Sequence, residues 1–116
     1  MNALRLLEIR SYTLKPGSGA AFHSLVSERS VPLLREACMD VVAFGQSVHD
    51  SDHYFLMRSY DSLAHRQEAQ ETFYSSAAWR QGPREAIIAL IETDATTTLW
   101  LSAEAVERLR SSNSLS

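Results

Sequence analysis

A chain of 116 residues with 45% hydrophobic and 22% charged content is one globular domain's worth of sequence, which argues against disordered and fibrous classes. A formal net charge of −3 argues against a nucleic-acid binder, and no apolar run approaches the ~18 residues of a membrane span. The lone Cys38 cannot close an internal disulfide, and the charged opening through Arg5 and Glu8 is unlike a signal peptide, so a cytoplasmic protein is expected.

Residues 4 to 14 alternate as a strand, with Leu7 and Ile9 on one face and Glu8, Arg10, Tyr12 and Leu14 on the other. Lys15-Pro16-Gly17-Ser18-Gly19 is a turn, and apolar spacing from Phe22 to Ala37 predicts a helix over 20–37, kinked at Pro32. Val41 to His49 reads as a second strand with Val42, Phe44 and Val48 on one side. The polar tip His49-Asp50-Ser51-Asp52-His53 then returns the chain into a third strand, Tyr54 to Tyr60. Asp61 is the expected N-cap of a helix from Ser62 to about Tyr74, whose inner stripe is oddly polar: Leu63, Arg66 or Gln67, Gln70, and Phe73 or Tyr74. A short helical turn over Ala77–Gln81 follows. Gly82-Pro83 starts another helix, with Pro83 at its first position and Ala86, Ile87, Leu90 and Ile91 as its buried stripe. Residues 93–101 read as a last strand by their threonines and Leu99-Trp100-Leu101. Beyond the domain at 1–102, residues 103–116 read as a tail, helical over Ala103–Arg110 and disordered from Ser111.

Arg10-Ser11-Tyr12 recurs as Arg58-Ser59-Tyr60, about one β-α-β unit later, which points to two similar halves. The order β-α-β-β-α-β with right-handed crossovers predicts an α+β, ferredoxin-like fold. Its antiparallel sheet has the first and third strands central and helices on one face. The other face then needs cover, and a second copy of the chain in a two-fold dimer supplies it most simply.

Several stretches resemble the NIPSNAP family. Leu7-Glu8-Ile9-Arg10-Ser11-Tyr12-Thr13-Leu14-Lys15-Pro16-Gly17 is similar to that family's opening strand and turn. Tyr60-Asp61-Ser62-Leu63-Ala64-His65-Arg66 followed by Ala77-Ala78-Trp79 is similar to its second signature. The chain departs from the pattern at Arg58, where an aromatic residue is expected, and at Ser75-Ser76, which replaces an acid-proline pair. The resemblance implies a dimeric α+β barrel, a superfamily that includes small monooxygenases, lactone isomerases and haem-binding enzymes. The family has no generally established reaction.

Glu8, Arg10, Tyr12, Arg58 and Tyr60 should share one sheet face, with His65 and Trp79 flanking it. Two readings fit these residue types. Arginines and tyrosines can hold a carboxylate or enolate in a pocket between helix and sheet. They can equally form an ion-pair network around Glu8 that fixes the dimer's register. An enzymatic version is a cofactor-independent monooxygenase or isomerase acting on an enolisable aromatic or quinone-like compound. There Arg10 or Arg58 would stabilise an oxyanion and Tyr12, Tyr60 or His65 would move the proton. His23 reads as a surface or satisfied core histidine, and His49 and His53 with Asp50 and Asp52 as turn chemistry rather than a metal site. Cys38 reads as a small core residue. The sequence has no Gly-rich phosphate loop, no serine elbow and no Cys/His pair at a convincing spacing, and the expectation is a homodimer without metal or cofactor, binding a small molecule.

Overall fold

The first strand organises everything else, because it is paired on both sides. In the computed structural model, which describes residues 3–113, β1 (Leu4–Leu14) lies between β3 (His53–Tyr60) and β4 (Ile91–Ser102), antiparallel to each. With β2 (Asp40–Gln46) beside β3, the sheet order is β2-β3-β1-β4, the ferredoxin-like arrangement with the first and third strands central. Period-two alternation on β1 separates two cores. Leu6, Tyr12 and Leu14 join Tyr54, Leu56 and Tyr60 of β3 on one face, while Leu7 and Ile9 join Phe55 and Met57 on the other.

Five helices cover the first face: α1 (Gly19–Leu25), α2 (Val31–Glu36), α3 (Leu63–Tyr74), α4 (Ala77–Arg80) and α5 (Arg84–Ala89). The single helix expected over 20–37 is split by a π-helical turn over Val26–Ser30. Pro32 has no N–H to give to the Glu28 carbonyl and its ring would collide there. The helix widens just upstream, and the proline sits in the first turn of α2. Cys38 is exposed, not in the core, and ends α2 with a left-handed backbone (φ 62°), a position that usually goes to glycine.

On β2 the expected alignment of Val42 with Phe44 fails. The register shifts between Val41 and Ala43, so Val42 and Ala43 both reach the second core while Val41 and Phe44 serve the first. Val48 lies beyond the end of the strand, fully exposed. The hairpin tip is tied to the β1–α1 turn, where Asp52 accepts the Gly17 and Gly19 backbone N–H groups at 2.9 Å each. These hydrogen bonds hold its carboxyl below the ordinary carboxylate range.

The C-terminal segment is part of the fold. Helix α6 (Ala103–Asn113) continues past Arg110 and lies across the second face, with Val106 buried among Leu7, Val42 and Ala43. Arg110 donates to the Val41 carbonyl at 3.0 Å and to Asp40, which also accepts from Ser59 Oγ. The disorder expected from Ser111 therefore does not begin there, and residues 114–116 lie outside those described. No helix among the described residues is long and apolar enough to cross a membrane.

Replacing Cys38 by glycine removes the left-handed penalty and should raise stability by about 1 kcal/mol in urea unfolding, whereas a loss would show that the thiol is needed there.

Candidate functional site

The polar inner face of α3 has a physical cause: a carboxylate buried beneath it. Glu8 and Arg58 are directly opposite on β1 and β3, and both are fully buried. Arg58 Nε donates to Glu8 Oε1 at 2.7 Å and Tyr60 Oη to the same oxygen at 3.2 Å. From α3, Arg66 Nε donates to Glu8 Oε2 at 2.8 Å, and Gln70 Nε2 donates there too. One turn further along, Tyr74 Oη accepts from Arg58 Nη1 at 2.8 Å, with its ring 5.8 Å from that guanidinium. Desolvation alone would raise the Glu8 pKa. The Arg58 charge and the hydrogen bonds from Arg58, Arg66 and Gln70 outweigh it and hold the carboxyl below its ordinary value. One carboxylate against two guanidiniums leaves a positive surplus, and Arg66, 26% exposed, shares it with solvent.

Beside this network an open cleft of ≈ 440 Å³ lies between the sheet and α3–α5, lined by Arg10, Tyr12, Tyr74, Trp79, Ile87 and Asp94 among others. Behind it a small internal cavity of ≈ 40 Å³ shares Tyr12, Tyr74, Trp79 and Ile87 with the cleft and adds Phe22 and Tyr54. Ser76 sets one wall. It caps α4 by accepting the Trp79 N–H, and the indole packs against Phe73 and Tyr74 at 5.5 and 5.4 Å between ring centroids. Gly82 ends α4 where a Cβ would strike the Ala78 carbonyl, which lets α5 turn back to bring Arg84 and Ile87 to the cleft. Burial pushes the Tyr12 hydroxyl up to about 12 against the opposing charge of Arg10, so it stays a neutral donor at ordinary pH.

The seven residues singled out in the sequence fall into three places. Glu8, Arg58 and Tyr60 belong to the buried network; Arg10, Tyr12 and Trp79 line the cleft; His65 borders the network, its ring edge-on to Tyr60 at 5.6 Å between centroids. His65 secures the start of α3. Its backbone N–H goes to Ser62 Oγ at 3.0 Å, and its Nδ1 accepts the Asp61 N–H at 2.9 Å. Ser62, not Asp61, is therefore the N-cap, because its side chain reaches the third helical residue. Likewise Pro83 is the N-cap of α5 rather than its first residue. His23 Nδ1 lies 2.6 Å from Tyr54 Oη, behind the internal cavity. Among the described residues no group of three or more His, Cys, Asp or Glu side chains is placed to hold a metal ion. Sequence reasoning missed Arg84 and Asp94. Asp94 becomes visible only through the register of β4, which sets it opposite Tyr12 and 3.0 Å from Arg10 Nη2.

The NIPSNAP family model matches residues 7–103, and so takes in both the network and the cleft. The chain belongs to the NIPSNAP family. No curated protein matches it. Among solved structures, a NIPSNAP family protein from Agrobacterium tumefaciens superposes with a TM-score of 0.75 at 19% identity, covering 82% of this chain and 90% of its own. A second Agrobacterium NIPSNAP protein, of unknown function, gives 0.76 at 20% identity over 84% and 88%. A Nitrosomonas europaea protein named as a candidate antibiotic biosynthesis monooxygenase gives 0.62 at 15% identity over 81% and 95%. These likenesses establish the fold. In this NIPSNAP chain the arginine at position 58 makes Glu8 half of a buried ion pair.

A carboxyl whose folded pKa is depressed stabilises the fold above its ordinary pKa, and that contribution is lost as pH falls through the folded value. Glu8→Gln should therefore cost about 3–5 kcal/mol near neutral pH, measured by urea unfolding, since it strands Arg58. The deficit should shrink steadily as both proteins are taken below about pH 4. A deficit independent of pH would show that Glu8 acts by shape alone.

Proposed function

We propose that this NIPSNAP domain is a homodimer that binds a small organic molecule in the cleft between α3–α5 and the sheet. The observation that carries the reading is the cleft itself. Its ≈ 440 Å³ falls within the usual ligand-pocket range. Its walls are aromatic and aliphatic through Tyr12, Tyr74, Trp79, Ile87 and Ile88, with a few polar groups at fixed places. Glu8 and Tyr60, with Arg58 through Nε and Nη1, bond to one another and to α3, and none of the three lines the cleft.

A second copy is the proposed cover for the half of the second face that α6 leaves open. There Ile9, Phe55 and Met57 are only partly buried, and Phe55 borders a shallow groove with Ser11, Thr13 and Val48. Apolar side chains on a sheet face beside an exposed valine favour a like surface as partner.

A second reading, a cofactor-independent monooxygenase or isomerase acting on an enolisable aromatic or quinone-like compound, is supported by the fold shared with the Nitrosomonas protein. In this chain Arg10 would face a developing oxyanion in the cleft, and Tyr12, protonated until about pH 12, would donate to it. The base would have to come from elsewhere, and His23, bonded to the cavity-lining Tyr54, is the imidazole best placed.

Protein-detected NMR with a set of aromatic fragments should move signals of Tyr12, Tyr74, Trp79 and Ile87 together while leaving α6 unmoved. Ile88→Trp, which fills the mouth from a half-exposed position, should abolish those shifts with the fold intact. Shifts confined to other surfaces, or none, would end the ligand-binding reading. Sedimentation velocity should give twice the chain mass, and Phe55→Asp should return the monomer; a wild-type monomer would remove the dimer.

A further inference from the structure

We infer that the cleft is built for an organic anion: a flat, mainly apolar body carrying one carboxylate-like head, with that head held by Arg10. This rests on the small-molecule reading above and narrows it to a ligand class.

The charged groups lining the cleft reduce to one opposed pair. Arg10 and Arg84 set two guanidiniums against the single carboxylate of Asp94. Arg84 reaches outward to Glu85 at 2.5 Å, so Arg10 and Asp94 are the opposed pair within the cleft. The donors are also unspent. Arg10 gives Nη2 to Asp94, yet its Nε is buried without a hydrogen-bond partner among the described residues. Arg58 Nη2, on a completely buried side chain, is in the same condition. Arg58 stands one diagonal step across the β1–β3 pairing from Arg10, a separation of about 7–8 Å between such neighbours. Buried N–H groups in folded proteins nearly always find acceptors, so an orphaned donor on the cleft-lining Arg10, with a second on Arg58, which does not itself line the cleft, is unusual. The neutral donors add to them. Tyr74 Oη already accepts from Arg58, which leaves its own O–H to give and strengthens it as a donor, and both Tyr74 and Tyr12 line the cleft.

A guanidinium fork flanked by phenolic hydroxyls matches a planar carboxylate, whose two oxygens accept several hydrogen bonds at once. Trp79, Ile87 and Ile88 suit an aromatic body and would be wasted on an inorganic anion. Asp94 then has a definite part. It is half-exposed on the β4 edge and holds Arg10 when the cleft is empty, so an incoming carboxylate takes its place.

The test is a matched pair of probes, naphthalene carboxylate and its neutral carboxamide, titrated into nitrogen-labelled protein and followed at the Trp79 indole and Arg10 Nε–H signals. A Trp100→Phe background removes the other indole, which lies outside the cleft. The carboxylate should bind at least about tenfold more tightly than the carboxamide and shift Arg10 Nε–H. Arg10→Gln should erase that margin by weakening the carboxylate far more than the carboxamide, and Asp94→Asn should tighten the carboxylate severalfold by removing its competitor. Equal affinities for the two probes, or an equal loss of both in Arg10→Gln, would overturn the anion inference while leaving the small-molecule reading standing. Failure of both probes to move the Trp79 signal at millimolar concentration would overturn the two together.

Discussion

A single carboxylate, that of Glu8 on β1, sits where four donors from two other elements meet. Taking that charge out of water is costly, and the cost is met only because Arg58, Tyr60, Arg66 and Gln70 all converge on it. The result is a helix held to a sheet by polar bonds where ordinary packing would use an apolar stripe. Phe73 is the one residue of α3 that is buried in the apolar core, and Leu63 at its start is exposed. The position of α3 therefore depends on the electrostatics of its neighbours far more than on its own hydrophobicity. Bonds to a buried charge are also directional, so they fix the helix's rotation and height more sharply than packing alone.

That placement shapes the cleft. Tyr74 stands at the end of α3 with its hydroxyl pinned by Arg58, and Trp79 packs edge-to-face against it from the next short helix. One arginine of the repeated Arg-Ser-Tyr motif closes the network while the other, Arg10, opens onto the cleft. The two copies of the motif have thus diverged in use although they keep the same sheet face. The second face has its own polar clasp, Arg110 with Asp40, which fastens α6 over the second core. Burial there would raise the Asp40 pKa, but the Arg110 and Ser59 hydrogen bonds pull it below the ordinary carboxylate range.

Much of this was legible in the residues. Alternation along β1 separates Leu7 and Ile9 from Glu8, Arg10 and Tyr12 without ambiguity, and the strand and helix order follows from turn residues. The polar stripe of α3 was visible as an anomaly, and Glu8 was visible as an acid among arginines. What escaped depends on register or on backbone state. The bulge that sends Val42 and Ala43 to one face breaks a period-two reading, and the left-handed turn at Cys38 leaves no mark in composition. The pairing of Arg10 with Asp94 joins residues far apart in sequence and is set by strand alignment alone. The docking of α6 was hidden for a related reason: its inward stripe, the buried Val106 and the partly buried Leu109, is short, and only the face it meets gives it meaning.

Amide hydrogen exchange in the wild type and in Glu8→Gln addresses the electrostatic attachment of α3 most directly. If the carboxylate holds the helix, the amides of Leu63–Tyr74 should lose more protection in the variant than those of β1 and β3, whose ladder hydrogen bonds do not pass through the side chain. Unchanged protection across α3, or a uniform loss in which the helix is no worse than the central strands, would contradict the view that this buried charge positions it.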